Sequence, residues 1–116
     1  MSLKTYQKAQ TAVETPRVIE YRLFGQITGA LMDAKTSGAK GSPLVDAIDR
    51  NRRLWSMLAG DCMSEGNQLP KELRAQIVSL AIWVSKYSSD VTQQGAPLDP
   101  LIDVNRNIMQ GLQSAA

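Results

Sequence analysis

Apolar residues recur at every third or fourth position in several stretches of this chain, which is the spacing of amphipathic helices. The strongest stretch covers residues 69–91. One of its faces carries Leu73, Ile77, Leu80, Val84, Tyr87 and Val91. Further apolar residues between these positions make its middle apolar nearly all round, and such a helix needs burial on more than one side. We therefore predict that this helix lies at the centre of a bundle, with the other helices packed around it.

Prolines and glycines mark the ends of these stretches. Proline is favoured in the first turn of a helix, where its missing N–H would be unpaired in any case. Prolines stand at the start of the patterns at positions 16, 43, 70 and 100, and glycines follow their ends at positions 38, 41, 66 and 95. These signals predict helices over about residues 3–13, 16–36, 43–63, 70–91 and 100–112.

No stretch alternates apolar and polar residues as a half-buried strand does. We therefore predict an all-α fold, in which residues 1–116 form a single small bundle of about five helices. Most of the predicted connections are short, and short connections favour antiparallel neighbours. An up-down arrangement is therefore the expected topology.

Composition is that of one ordinary globular domain, with 43% hydrophobic and 21% charged residues. The net charge of +2 is too small to indicate a nucleic-acid or membrane partner. No apolar run reaches the length of a membrane span, and the amino-terminal residues lack the pattern of a secretory signal. The single cysteine, Cys62, has no partner for an intrachain disulfide and is typical of a reducing compartment. We expect a cytoplasmic protein.

Catalysis has little support in the residue types. The chain contains no histidine, which is the commonest general base and metal ligand. Cys62 therefore lacks the usual activating base and is interpreted as a small core residue. Asp46, Asp49 and Asp61 do not have the spacing of a cation-binding loop. We predict no catalytic residues, no metal and no cofactor.

Two glycines within the second predicted helix, Gly25 and Gly29, flatten one stripe of its surface. Each glycine destabilises a helix interior by roughly 1 kcal/mol relative to alanine. Close packing within the bundle would explain them, and so would a shallow groove that accepts a partner helix. For the second interpretation, the predicted partner-binding residues are Tyr21, Phe24, Gly25, Gly29, Met32 and Trp83.

A basic cluster, Arg50, Arg52 and Arg53, allows two interpretations. Clustered arginines can contact the phosphates of RNA. Alternatively, Asp46 and Asp49 lie four residues before Arg50 and Arg53, which is the spacing of ion pairs on a helix surface. The acidic residues in the same turns favour the surface ion pairs over an RNA contact.

Three segments, taken together in this order and spacing, resemble the FlaF family of alphaproteobacterial flagellar biosynthesis regulators. They are TPRVIEYRLFGQITGAL (15–31), NRRLWSMLAGDC (51–62) and NQLPKELRAQIVSLAIWVSKYSSDV (67–91). The resemblance extends from about residue 6 to residue 108. It implies a small, cytoplasmic, non-enzymatic protein that is needed for flagellin production and filament assembly.

The resemblance also implies how such a protein works. Family members act on flagellin after transcription, beside a second regulator, FlbT, which has an opposing effect on flagellin expression. Direct binding of flagellin, as by a secretion chaperone, is also attributed to the family. We therefore expect the helical terminal segments of flagellin as the partner, with flagellin mRNA or FlbT as the alternative. No catalytic residues are carried over from the family.

Overall fold

The computed structural model describes residues 16–115, and this part of the chain is helical with no strand. Helix α1 comprises Pro16–Ser37, α2 Ser42–Cys62, α3 Lys71–Gln94 and α4 Asp99–Ala115. These four helices confirm the all-α fold class. The helix predicted over residues 3–13 lies outside the described residues, so four of the five predicted helices are described.

The helix ends follow the predicted proline and glycine signals. Pro16 opens α1, Pro43 lies in the first turn of α2, and Pro70 directly precedes α3. Gly95 ends α3 in the left-handed conformation, with φ 70° and ψ 26°, and its N–H donates to Val91 O at 3.2 Å. Glycine adopts this conformation without the steric cost that a side chain would add.

The four helices form an antiparallel, up-down bundle. Helix α1 packs against α2 and α4, and α3 packs extensively against α2 and more sparsely against α4. Helices α1 and α3 lie diagonally opposite each other and do not pack together. Arg52 of α2 contacts Ser85 and Ser89 of α3, whereas Gly60, later in α2, lines a groove with Val78, earlier in α3, so the two helices run in opposite directions.

The prediction that the helix over residues 69–91 is central was wrong. In a ring of four helices each one has two neighbours, so α3 buries one side only. Ile77, Val84 and Val91 point into the core, whereas Ile82 is 58% exposed. The apolar residues around the middle of α3 therefore form surface as well as core.

The core centres on an aromatic pair from two helices. Phe24 of α1 and Trp55 of α2 meet edge to face, with ring centroids 5.4 Å apart and planes at 88°. Edge-to-face contact places the positive ring edge on the negative ring face, which stabilises aromatic pairs beyond their buried area. Around the pair lie fully buried aliphatic side chains: Leu31, Ile48, Leu58, Ile77, Val84, Leu101 and Leu112.

A buried polar cluster crosses the same core. The Asn105 side chain of α4 donates to Asn51 Oδ1 at 2.7 Å and to Thr28 Oγ1 at 3.1 Å. It also accepts a hydrogen bond from Trp55 Nε1 at 2.7 Å. Ser88 of α3 is fully buried as well, but its hydroxyl has no hydrogen-bond partner in the described part of the chain. Each helix thus places at least one polar side chain in the interior, and the hydrogen bonds of this cluster join α1, α2 and α4.

Candidate partner-binding surfaces

A shallow apolar groove runs between α2 and α3 and is open to solvent. Its volume is about 450 Å³. Its lining consists of Ser56, Ala59, Gly60, Met63, Val78, Ala81, Ile82, Ser85 and Lys86. Met63 is 72% exposed and Ile82 is 58% exposed, the two highest exposures among the large apolar side chains of the described chain. Because the groove is open to solvent, it is better suited to an elongated apolar partner than to a small molecule, which usually binds in an enclosed pocket.

Small residues create the α2–α3 groove. Ala59 and Gly60 of α2 face Ala81 of α3, so little side-chain volume stands between the outer edges of the two helices. A Cβ atom added to Gly60 would meet no other atom within 4 Å, which leaves this wall open. The apolar contact area of the groove comes from Met63, Val78 and Ile82. The methionine side chain is flexible and can adapt to the shape of a partner.

An arginine side chain holds the two walls of this groove together. Arg52 Nη2 of α2 donates to Ser85 O at 2.8 Å and to Ser89 Oγ at 2.7 Å, both in α3. Hydrogen bonds from a charged donor are stronger than neutral ones. The spacing of α2 and α3 is therefore fixed beside the groove rather than left to apolar contact alone.

A second groove lies between α1 and α2 on the other flank of α2. It is smaller, about 240 Å³, and its lining consists of Leu23, Ile27, Arg50, Arg53, Leu54 and Met57. Met57 is 46% exposed, while Ile27 and Leu54 are buried and form the floor. Met57 and Met63 thus belong to different grooves, although Met57 lies within α2 and Met63 lies directly after its last residue.

The predicted partner-binding residues of α1 are divided between core and surface. Tyr21 and Met32 are 37% and 39% exposed, and Arg106 Nη2 of α4 lies 3.3 Å from Met32 Sδ. The prediction that Phe24 binds a partner needs correction. Its side chain is fully buried against Trp55 and has no exposed surface for a partner in the folded bundle.

The two glycines of α1 differ in their surroundings. A Cβ added to Gly25 would lie 3.6 Å from Met109 Cε of α4, which is ordinary contact. A Cβ added to Gly29 would meet nothing within 4 Å. Neither glycine is required for close approach of another backbone, so close packing does not explain Gly29.

Trp83 does not share a surface with the predicted α1 residues. Its ring stacks on Tyr87, with centroids 5.0 Å apart and planes at 17°. The Tyr87 hydroxyl donates to Pro97 O in the connection to α4. Trp83 therefore lies on the flank of α3 away from Ile82, and α3 does not pack against α1. The six predicted residues do not form one site.

The arginine cluster also separates. Arg52 contacts α3, whereas Arg50 and Arg53 flank the α1–α2 groove. The predicted ion pairs Asp46–Arg50 and Asp49–Arg53 are absent, and neither arginine makes a hydrogen bond within the described chain. The ion-pair interpretation was therefore wrong for these two side chains.

One carboxylate is buried where α1 begins. Glu20 accepts a hydrogen bond from Arg17 Nη1 at 2.5 Å and is 5% exposed. Burial raises the pKa of this carboxyl, and the contact with Arg17 opposes part of that rise. Burial also raises the pKa of the Cys62 thiol. The raised pKa favours the protonated thiol, which is less reactive than the thiolate. Cys62 is thus a core residue, as predicted.

Comparison with known proteins decides the family. The family model of the flagellar protein FlaF matches residues 2–112. The chain belongs to the FlaF family. No curated protein and no solved structure matches it.

For this FlaF family member, membership gives a flagellar role and assigns no residues. None of the helices in residues 16–115 is long and apolar enough to cross a membrane. Within the same residues, no three acidic or cysteine side chains are grouped as a metal site would require.

Sequence reasoning missed the α2–α3 groove as a unit. Its members lie on two helices, and the pattern of either helix alone does not reveal which flank faces a neighbour. One signal was available: residues 77–84 are apolar beyond the width of one helix face, which indicated surplus apolar surface. That surplus was assigned to additional burial, whereas Val78 and Ile82 form the groove.

Proposed function

We propose that this FlaF family protein binds an apolar helical segment of flagellin in the α2–α3 groove and acts as its chaperone or adaptor. The observation that carries the proposal is the exposure of Met63 and Ile82 on either side of an open apolar groove. A contiguous exposed apolar surface is typical of a protein-binding site. The flagellar role of the family supports the choice of flagellin as the proposed partner.

The physical basis is burial of apolar area on both partners. Removing apolar surface from water stabilises a complex by roughly 25 cal/mol per Å², before the cost of ordering the partner. Met63 and Ile82 offer side chains that are uncovered in the free protein. A terminal segment of flagellin that folds into a helix on binding would cover them and would itself be protected from aggregation.

The proposal places this non-enzymatic step in the cytoplasm, after transcription and before export. Bound flagellin would be kept available for secretion, and its amount would change without a change in transcript level. Binding of flagellin mRNA is less well supported. Of the three arginines that were candidates for an RNA contact, Arg52 contacts α3, and only Arg50 and Arg53 do not. FlbT is the alternative protein partner and is included in the test.

Calorimetric titration of the purified protein with flagellin, at two salt concentrations and two temperatures, tests the proposal. We expect binding that changes little with salt and has a negative heat-capacity change, as apolar burial requires. Met63→Glu should weaken binding by at least about tenfold, because a buried methionine contributes roughly 1.5–3 kcal/mol. Met57→Glu, an exposed methionine outside this groove, is the matched control.

A neutral variant separates shape from charge. Gly60→Leu adds volume to the wall of the groove without adding charge, and it should also weaken flagellin binding. Absence of a complex with flagellin, together with a complex with FlbT, would replace the proposed partner. Equal loss in Met57→Glu and Met63→Glu would show that this groove is not the binding site.

A further inference from the structure

We infer that the α1–α2 groove is a second docking surface, which binds an amphipathic helix with carboxylates beside its apolar face. This inference goes beyond the flagellin proposal, because it concerns a different groove and a partner of different chemistry. It rests on the free arginines of the groove, on its apolar floor and on the distribution of charge along it.

The two arginines are free for a partner. Arg50 and Arg53 make no hydrogen bond or ion pair in the described chain, although Asp46 and Asp49 are four residues away on the same helix. Arg52, between them in sequence, donates from Nη2 to two residues of α3. The cluster is thus divided into one structural side chain and two that flank an apolar groove.

The apolar part of the groove fits one face of a helix. Leu23 and Ile27 of α1 are one helical turn apart, and they face Leu54 and Met57 of α2. Arg50 and Arg53 are three residues apart, which is about 4.5 Å along the axis of α2. Carboxylates three or four residues apart on a partner helix have a similar spacing, so both can pair with the arginines.

Acidic side chains continue the groove beyond Arg50. The adjoining cavity of about 420 Å³ includes Asp33 of α1 and Asp46 of α2, with Arg50 as the shared residue. Asp46 and Arg53 are separated by about 10 Å, or two helical turns. A bound helix would therefore carry acidic residues at the Arg50 and Arg53 end and a basic residue toward Asp33 and Asp46, which fixes its direction.

The same distribution of charge disfavours RNA. A continuous phosphate backbone would meet Asp33 and Asp46 next to the two arginines, and like charges in an interface oppose binding. The apolar floor would remain uncovered by phosphates. An amphipathic helix uses the arginines, the floor and the acidic extension together.

Fluorescence anisotropy with two synthetic helical peptides tests the inference. The peptides share one leucine-rich face, and one carries glutamates beside it where the other carries lysines. We expect the glutamate peptide to bind at least about tenfold more tightly, with an affinity that falls with salt. The double variant R50E/R53E should invert the preference. K86E, a single charge reversal in the α2–α3 groove, should not, whereas R50E or R53E alone should weaken binding of the glutamate peptide.

A methionine pair locates the binding. Met57→Glu should abolish binding of the glutamate peptide and Met63→Glu should leave it unchanged, with circular dichroism to verify folding. Failure of the glutamate peptide to bind, equal binding of both peptides, or equal loss in both methionine variants would overturn the inference. Displacement of the peptide by single-stranded RNA would assign the groove to RNA. Because no flagellin is used, the result does not depend on the flagellin proposal.

Discussion

Trp55 and Asn105 are joined across the diagonal of the bundle. The indole Nε1 of Trp55 in α2 donates to Asn105 Oδ1 in α4 at 2.7 Å, although these two helices do not pack directly against each other. Asn105 is fully buried and also donates to Asn51 and Thr28. One side chain therefore satisfies polar groups on the neighbouring helix α1 and on the diagonal helix α2.

Asn105→Ala should be among the most destabilising single substitutions in this chain. It removes three hydrogen bonds and leaves buried partners unsatisfied, each of which costs about 1–3 kcal/mol. We expect the free energy of unfolding to fall by at least about 3 kcal/mol in urea denaturation. Asn107→Ala, an exposed residue on the same helix, is the control and should change it by less than about 0.5 kcal/mol.

Arg52→Ala should loosen the contact between α2 and α3. The substitution removes the hydrogen bonds to Ser85 O and Ser89 Oγ. We expect a loss of about 1–2 kcal/mol in the free energy of unfolding, since a charged donor contributes more than a neutral one. Arg53→Ala removes an arginine without these bonds and should have little effect. A similar loss in both variants would contradict the structural role of Arg52.

Glu20 should make stability depend on pH in a defined direction. Burial raises the pKa of its carboxyl above the ordinary value of 4.5, so the folded chain holds the proton more tightly than the unfolded chain. The stabilisation that Glu20 gives the folded state through this raised pKa is present below about pH 4.5. It is lost as pH rises through the pKa of the folded state. The free energy of unfolding of the wild type, relative to Glu20→Gln, should therefore fall over this range.

Urea denaturation at a series of pH values measures that difference. Glu65→Gln, which removes an exposed carboxylate, controls for the general effect of one fewer negative charge. A difference between wild type and Glu20→Gln that stays constant or increases with pH would contradict the assignment.

Two glycines should respond in opposite ways to substitution by alanine. Gly29→Ala adds a methyl group into open space within α1 and should stabilise the protein by up to about 1 kcal/mol. Gly95→Ala forces a side chain into the left-handed conformation that ends α3 and should destabilise it by about 1 kcal/mol. Thermal unfolding of both variants measures the effects. Destabilisation by Gly29→Ala would restore the close-packing interpretation.

Helix boundaries were predictable from sequence because proline and glycine act locally. Proline lacks an N–H and glycine tolerates positive φ, so Pro43 and Gly95 mark a start and a stop without reference to the rest of the chain. Apolar residues three or four positions apart likewise mark the buried face of α2, which carries Ile48, Trp55 and Leu58.

The polar cluster was detectable only as a gap in that periodicity. Asn51 lies between Ile48 and Trp55 at the spacing of the core face, and Asn105 lies between Leu101 and Ile108 in the same way. An asparagine at such a position is usually interpreted as surface, because a single helix does not show which partners are available. The partners come from other helices, as far as 77 residues away.

The arrangement of helices could not be predicted for the same reason. Apolar residues on more than one side of α3 indicate that more than one side of this helix is covered by other groups. They do not show whether the cover is other helices of the bundle or a partner that binds in a groove. The same limit applies to Arg50, Arg52 and Arg53, whose different environments depend on which flank of α2 faces α1 and which faces α3.

The unequal surroundings of Trp55 and Trp83 give the protein an internal optical reporter. Trp55 is enclosed and hydrogen-bonded, so acrylamide should not quench its emission, whereas Trp83 is partly accessible and should be quenched. A ligand in the α2–α3 groove would leave Trp83 quenchable, because the indole lies on the other flank of α3. A ligand over the α3–α4 seam would shield it, so unlabelled protein can distinguish the two modes of docking.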